Sequence, residues 1–166
     1  QTILGHCIHP SPRERAVLAE TGTAVAHCPT ANLYLSSGIM PLGEHLASGI
    51  KVALGSDVAA GPELNLWQVM RSTIESQKAR SFYEPNVTVP SPAEVLHLAT
   101  QGAAVALGKG DIIGTLDPGK EADITVMDLA ALLPYGGAET KIEDLSPRSE
   151  EHTSELQSPC NLVCRL

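Results

Sequence analysis

Three short apolar runs, each closed by a polar or ionisable side chain, set the frame for this chain. Thr2-Ile3-Leu4-Gly5 ends at His6, Thr23-Ala24-Val25-Ala26 ends at His27-Cys28, and the run from Ile50 to Ser56 ends at Asp57. Runs this short and continuously apolar, bounded by Gly, Pro or polar residues, have the pattern of strands buried on both faces of a parallel sheet. Helix signals lie between them. Ser11-Pro12-Arg13-Glu14 joins a capping serine, a proline suited to the first helical position and the glutamate of a capping box, and predicts a helix from Pro12 to Glu20 that Gly22 ends. Pro29 to Gly38 reads as a loop, and Pro41 to Ser48 as a short helix stopped by Gly49.

Further along, Leu66, Val69, Met70, Thr73 and Ile74 recur at helical spacing and predict an amphipathic helix from Leu64 to Lys78. Ser91-Pro92-Ala93-Glu94 repeats the earlier start signal for a helix to Thr100, and Ala103 to Leu107 makes a further short one. Pro118-Gly119 sits as a type II turn prefers, ahead of an alternating strand, Ile124 to Asp128. Strand and helix in alternation predict an α/β fold, a parallel sheet covered by helices, closed as a barrel or open. In α/β barrels the carboxyl ends of the strands hold the active site. His6, His27 and Asp57 stand at three such ends, and imidazole with carboxylate is ligand chemistry that suits a divalent metal such as zinc. If His6 and His27 face inward, alternation turns Cys7 and Cys28 outward as small apolar groups.

Composition narrows the partners. Eleven basic against 19 acidic residues give a net charge of −8, with no Lys/Arg cluster to follow a phosphate backbone, so nucleic acid is not expected as a partner. No apolar stretch approaches the roughly 18 residues of a membrane span, so no membrane partner is expected either. Four cysteines without a CxxC, in a chain 43% apolar, are read as reduced thiols, with a cytoplasmic location. Gln1 followed at once by an apolar run predicts that an amino-terminal part precedes this sequence. Residues 148 to 166, RSEEHTSELQSPCNLVCRL, lose hydrophobic periodicity, resemble the in-frame translation of a common DNA-sequencing adapter, and are set aside as a non-native tail.

The specific motifs are His6-Cys7-Ile8-His9, then the segment AHCPTANLYLSSG from Ala26 to Gly38, then LGSDVAAG from Leu54 to Gly61, and Gly114 to Asp128. In this order they resemble the carboxyl-terminal part of the amidohydrolase superfamily, and the second and third segments are most similar to its guanine deaminase branch. The resemblance covers Thr2 to Asp144. It implies an incomplete TIM-like (β/α)8 barrel of the metal-dependent hydrolase type, with residues 1–110 as its last strands, residues 111–147 as part of a flanking small β domain, and one zinc per site. A whole barrel takes about 250 residues, more than the stretch before Arg148 provides.

On that resemblance Asp57 is the metal ligand and accepts a proton from the attacking water, while His6 contacts that water and the tetrahedral intermediate. His27 and His9 are expected at the substrate pocket. The relatives' H-x-H pair, their further zinc histidine with a proton-shuttling glutamate three residues on, and a purine-holding arginine have no counterpart here. Ser56 stands where relatives commonly carry threonine and keeps the hydroxyl. The implied reaction is hydrolysis of a cyclic amidine C–N bond, guanine and water giving xanthine and ammonia, in a homodimeric parent enzyme. This piece alone is expected to be inactive. Two alternatives stay open: another aminohydrolase or chlorohydrolase of the superfamily, acting on adenosine derivatives, triazines or pyrimidines, and a non-catalytic barrel remnant. His45 and His97, on helices, are read as surface or core-packing residues.

Overall fold

The computed structural model describes residues 1–126, so Met127 and Asp128 of the last expected strand, most of residues 111–147 and the whole of 148–166 lie outside the described residues. Strands β1 (Ile3–Gly5), β2 (Ala24–His27) and β3 (Val52–Leu54) form one parallel sheet in that order. Leu4 pairs with Val25 and Gly5 with Ala26, while Val25 pairs with Val52 and His27 with Leu54. All three strands lie where the apolar runs place them.

Helix α1 (Pro12–Glu20) carries the expected cap: the Ser11 side chain accepts from the Glu14 backbone N–H, and Glu14 accepts from the Ser11 N–H. Ser91 and Glu94 repeat it at α5 (Pro92–Ala99). One expectation is corrected. The segment from Pro29 opens as a helix, α2 (Pro29–Tyr34), and becomes irregular only at Leu35. Pro29 pre-sets the helical φ at the first turn. Six residues are too few for apolar periodicity to reveal a helix, and Ser36 at φ 55° then turns the chain away. Helices α3 (Leu42–Ala47), α4 (Leu66–Ser81) and α6 (Gln101–Ala106) complete the described elements. The turn at Pro118-Gly119 forms, with Gly119 at φ 93° and the Lys120 N–H donating to the Asp117 carbonyl at 3.3 Å.

Side-chain alternation sorts the sheet into two faces. Val25, Val52 and Leu54 pack with Leu18 of α1, Leu42 of α3, Val69, Met70 and Ile74 of α4, and Val95 and Leu98 of α5 in one aliphatic core. Ala24 and Ala53, on the other face, meet Ala103 and Ala106 of α6. Small residues there let α6 approach closely. β1 is an open edge, with Ile3 at 38% and Leu4 at 42% exposure. No helix among the described residues is long and apolar enough to cross a membrane.

Candidate active site

His6 and Asp57 converge although they follow different strands. Beyond β1 the ladder runs one residue further, because the His6 N–H donates to the Ala26 carbonyl at 2.9 Å; the chain then turns sharply, with the Cys7 N–H on the Gly5 carbonyl at 2.8 Å. Beyond β3 the Gly55 N–H reaches the His27 carbonyl at 2.9 Å, and the Gly61 N–H closes a loop on the Asp57 carbonyl at 2.7 Å. Both turns use left-handed backbone at residues with side chains: φ is 68° at His6, 42° at Cys7 and 50° at Asp57. A residue with a Cβ resists that conformation by about 1–2 kcal/mol. The two turns bring His6 Nε2 within 3.7 Å of Asp57 Oδ2, the side chains being 44% and 30% exposed.

A third residue completes the arrangement. Asn32, on α2 and 2% exposed, places its Oδ1 2.8 Å from His6 Nδ1, which donates to it. Nothing in the sequence marks Asn32 while Pro29 to Gly38 reads as a loop. Counting helical turns from Pro29, one turn after the His27 strand, is the signal that would have found it.

The other expected site residues are placed elsewhere. His27 shares its face of β2 with Val25 and is fully buried, and neither ring nitrogen has a hydrogen-bond partner among the described residues. Burial first, and then the nearby His45, pushes its imidazole down to about 3, so it is neutral at ordinary pH. The expected inward His27 and outward Cys28 are therefore reversed. His27 lies on the Val25 face, with the larger aliphatic core, whereas Cys28 lies near enough to Asp57 that burial and then the carboxylate charge push its thiol up to about 11. The left-handed turn at His6 is the physical reason: it breaks strict alternation on β1, and no such turn interrupts β2 at His27. His9 is exposed and donates Nε2–H to the Ser37 carbonyl at 2.9 Å, tying the loop after β1 to the loop after α2. His45 is buried in α3 and donates Nδ1–H to the Pro41 carbonyl at 2.8 Å, as a packing residue should. Surface hollows of 460 Å³ lie along β1 and α1, at Leu4, Arg13 and Val17, and beside His9, Arg80 and Tyr83; neither is lined by His6 or Asp57.

The Asp57 loop is pressed against α2 at a glycine. A Cβ on Gly61 would stand 2.7 Å from the Ala31 Cβ and 2.8 Å from its Cα, and Ala31 is fully buried. Gly61→Ala is thus expected to destabilise the chain by about 2 kcal/mol through overpacking, read as a lower urea midpoint. An unchanged midpoint would show that the loop does not seat on α2.

Zinc chemistry can be weighed on these donors. An imidazole nitrogen and a carboxylate oxygen, partly open and on the same side of two turns, are zinc donors in kind. They fall short in number: zinc takes about four ligands, and among the described residues no group of three or more His, Cys, Asp or Glu gathers. The pair fits as part of a coordination shell that other residues complete.

A parallel α/β sheet whose carboxyl edge carries an imidazole and a carboxylate is the layout of barrel-type hydrolases. The chain belongs to the amidohydrolase family, whose model matches residues 1–161, a span that runs into the segment set aside above. It is 36% identical over 129 residues to the guanine deaminase of Escherichia coli (strain K12), covering 78% of this chain and 28% of that protein. A solved structure of E. coli guanine deaminase superposes with a TM-score of 0.71 at 34% identity, over 80% of this chain and 29% of the other. The 5-methylthioadenosine/S-adenosylhomocysteine deaminase of Moorella thermoacetica is 37% identical over 142 residues, 84% of this chain and 33% of that one. An adenosine deaminase from Xanthomonas campestris, solved with bound zinc, gives a TM-score of 0.71 at 31% identity, over 98% of this chain and 33% of the other. The chain therefore spans about a third of the length of these relatives.

Proposed function

We propose that this chain is the carboxyl-terminal barrel portion of a zinc-dependent purine deaminase, with guanine as the substrate and the last strands of an incomplete barrel as its scaffold. The observation that carries the reading is the approach of His6 Nε2 to Asp57 Oδ2 at 3.7 Å over the carboxyl edge of a parallel sheet. Asp57 would hold the metal, with His6 beside it. When bound, zinc lowers the pKa of water from about 16 toward 7, which makes a nucleophile available at neutral pH.

The residues on this chain then have separable tasks. Asp57 Oδ2 accepts the proton lost by the attacking water. His6 Nε2, 3.7 Å away here, takes up that proton once the pair closes to hydrogen-bond reach around bound substrate, and the resulting imidazolium donates to the oxygen developing on the attacked ring carbon, a contact worth about 3 kcal/mol in comparable sites. Cys28, a neutral thiol at the edge of the pair, contributes a compact apolar wall. The proton taken from the water passes on to the amino group, which leaves as ammonia with the electron pair of the broken C–N bond. The added hydroxyl becomes the ring carbonyl and gives its proton to the neighbouring ring nitrogen, so that guanine and water give xanthine and ammonia. His9 and His27 act only indirectly, His9 by tethering a loop and His27 by filling the core beneath β2.

A second reading is favoured by the comparisons themselves, since the deaminase of adenosine derivatives from M. thermoacetica is as similar as the guanine deaminase from E. coli. One experiment separates these. Residues 1–126 replace the matching third of E. coli guanine deaminase and, in a second chimera, of the M. thermoacetica deaminase, and each is assayed for zinc content and for ammonia release from its parent's substrate. Zinc retention, with the larger retained fraction of parental turnover in the guanine deaminase chimera, is expected. A larger retained fraction in the M. thermoacetica scaffold would move the assignment to the second reading, and correctly folded chimeras with neither zinc nor turnover would overturn both.

A further inference from the structure

Asn32 is held more firmly than a surface contact requires. Its backbone N–H donates to the Cys28 carbonyl at 2.9 Å, and its carbonyl accepts from the Ser37 N–H at 2.8 Å. The neighbouring Ala31 is the residue on which Gly61 of the Asp57 loop rests. The side chain is buried and reaches His6 Nδ1 through Oδ1, while its Nδ2 has no hydrogen-bond partner among the described residues. A buried amide nitrogen left unpaired is costly, and the amide is held in place despite it. That arrangement makes the His6 contact the one side-chain bond that orients this amide among the described residues.

We propose that Asn32 is a positioning residue that fixes the tautomer and the ring plane of His6: Oδ1 holds the proton on Nδ1, so that the Nε2 lone pair of the neutral imidazole faces Asp57. With Nδ1–H on Oδ1 the single ring proton has a partner at 2.8 Å, whereas a proton on Nε2 would find Asp57 Oδ2 only at 3.7 Å, beyond hydrogen-bond length. An unconstrained imidazole favours the opposite tautomer, with the proton on Nε2. Asn32 thus selects the form that the relay described above needs, in which Nε2 is free to receive a proton from the Asp57 side. The inference rests on the reading of His6 as a site residue, yet its primary test needs neither metal nor substrate.

Long-range ¹H–¹⁵N correlation spectra of the histidine-labelled chain, at about pH 8.5 so that exposed imidazoles are neutral, report the tautomer directly, with His6 assigned by its loss in His6→Gln. The expected spectrum has a pyrrole-like Nδ1 and a pyridine-like Nε2 for His6. Asn32→Ala should shift His6 toward the Nε2–H form, and Asn32→Asp, which keeps an accepting oxygen, should restore the original pattern. In the guanine deaminase chimera, Asn32→Ala is expected to lower kcat by about 10- to 100-fold with little change in KM, and Asn32→Asp to recover part of it. A wild-type His6 in the Nε2–H form overturns the proposal even if Asn32→Ala fails to fold, and so does an Asn32→Ala spectrum identical to wild type. If the chimera lacks deaminase activity while the tautomer pattern holds, the proposed reaction fails and the role of Asn32 stands.

Discussion

Asp57→Ala in the chimeric enzyme is expected to lower kcat/KM for guanine by about 10⁴-fold, at the upper end of what removal of one positioned proton acceptor costs. Asp57→Asn should fare little better, because the amide keeps the shape but neither accepts the water proton nor carries the charge that holds a cation. Both variants should also retain less zinc. His6→Ala is expected to cost less, about 10²- to 10³-fold, because it removes a stabilising contact and leaves the proton acceptor in place. Steady-state kinetics with metal analysis on folded protein measures both effects. Turnover within tenfold of the parent after Asp57→Ala would place the carboxylate outside the reaction and leave the non-catalytic reading standing.

Acid should destabilise this fold well before its carboxylates protonate. His27 is neutral in the folded chain because burial, and then His45, hold it down at about 3, whereas an unfolded histidine titrates near 6.5. Between those values the unfolded chain binds a proton that the folded chain does not, so stability falls as pH falls, by about 1.4 kcal/mol per pH unit once the unfolded group is protonated. His45, lowered chiefly by its own burial, acts in the same direction. Glu14, Glu44 and Glu94, whose acidities are raised by their hydrogen bonds and ion pairs, lose their contribution only at lower pH. Urea unfolding at about pH 7 and pH 5 isolates the histidines, with an expected loss of about 2 kcal/mol in the parent and a smaller one in His27→Leu. Equal slopes in the two proteins would show that His27 is not the buried neutral group.

The elements that sequence reading located correctly are those whose signals are local. Ser11 with Glu14, and Ser91 with Glu94, mark helix starts through contacts three residues apart, and Pro118-Gly119 marks a turn within four residues. The three strands declared themselves by apolar runs. What could not be read was orientation. Alternation along a strand predicts relative facing only while the strand stays regular, and the left-handed turn at His6 breaks it, so that His6 and His27, at equivalent strand ends, address opposite faces of the sheet. Asn32 was hidden for a related reason: its importance lies in a partner 26 positions away, reached only once α2 is known to be a helix. The His6–Asp57 approach was expected from motif order, and the distance came from the two turns that follow β1 and β3.

Those turns have a consequence for how such a chain changes over generations. His6 and Asp57 sit in a conformation in which glycine would be more comfortable by about 1 kcal/mol. Any search that rewards thermal robustness alone would find glycine attractive at both places and drift toward a sturdier, inert relic. Holding histidine and aspartate there leaves a local deficit that the surrounding framework must carry, and the close seat of Gly61 on Ala31 of α2 lies beside the Asp57 turn.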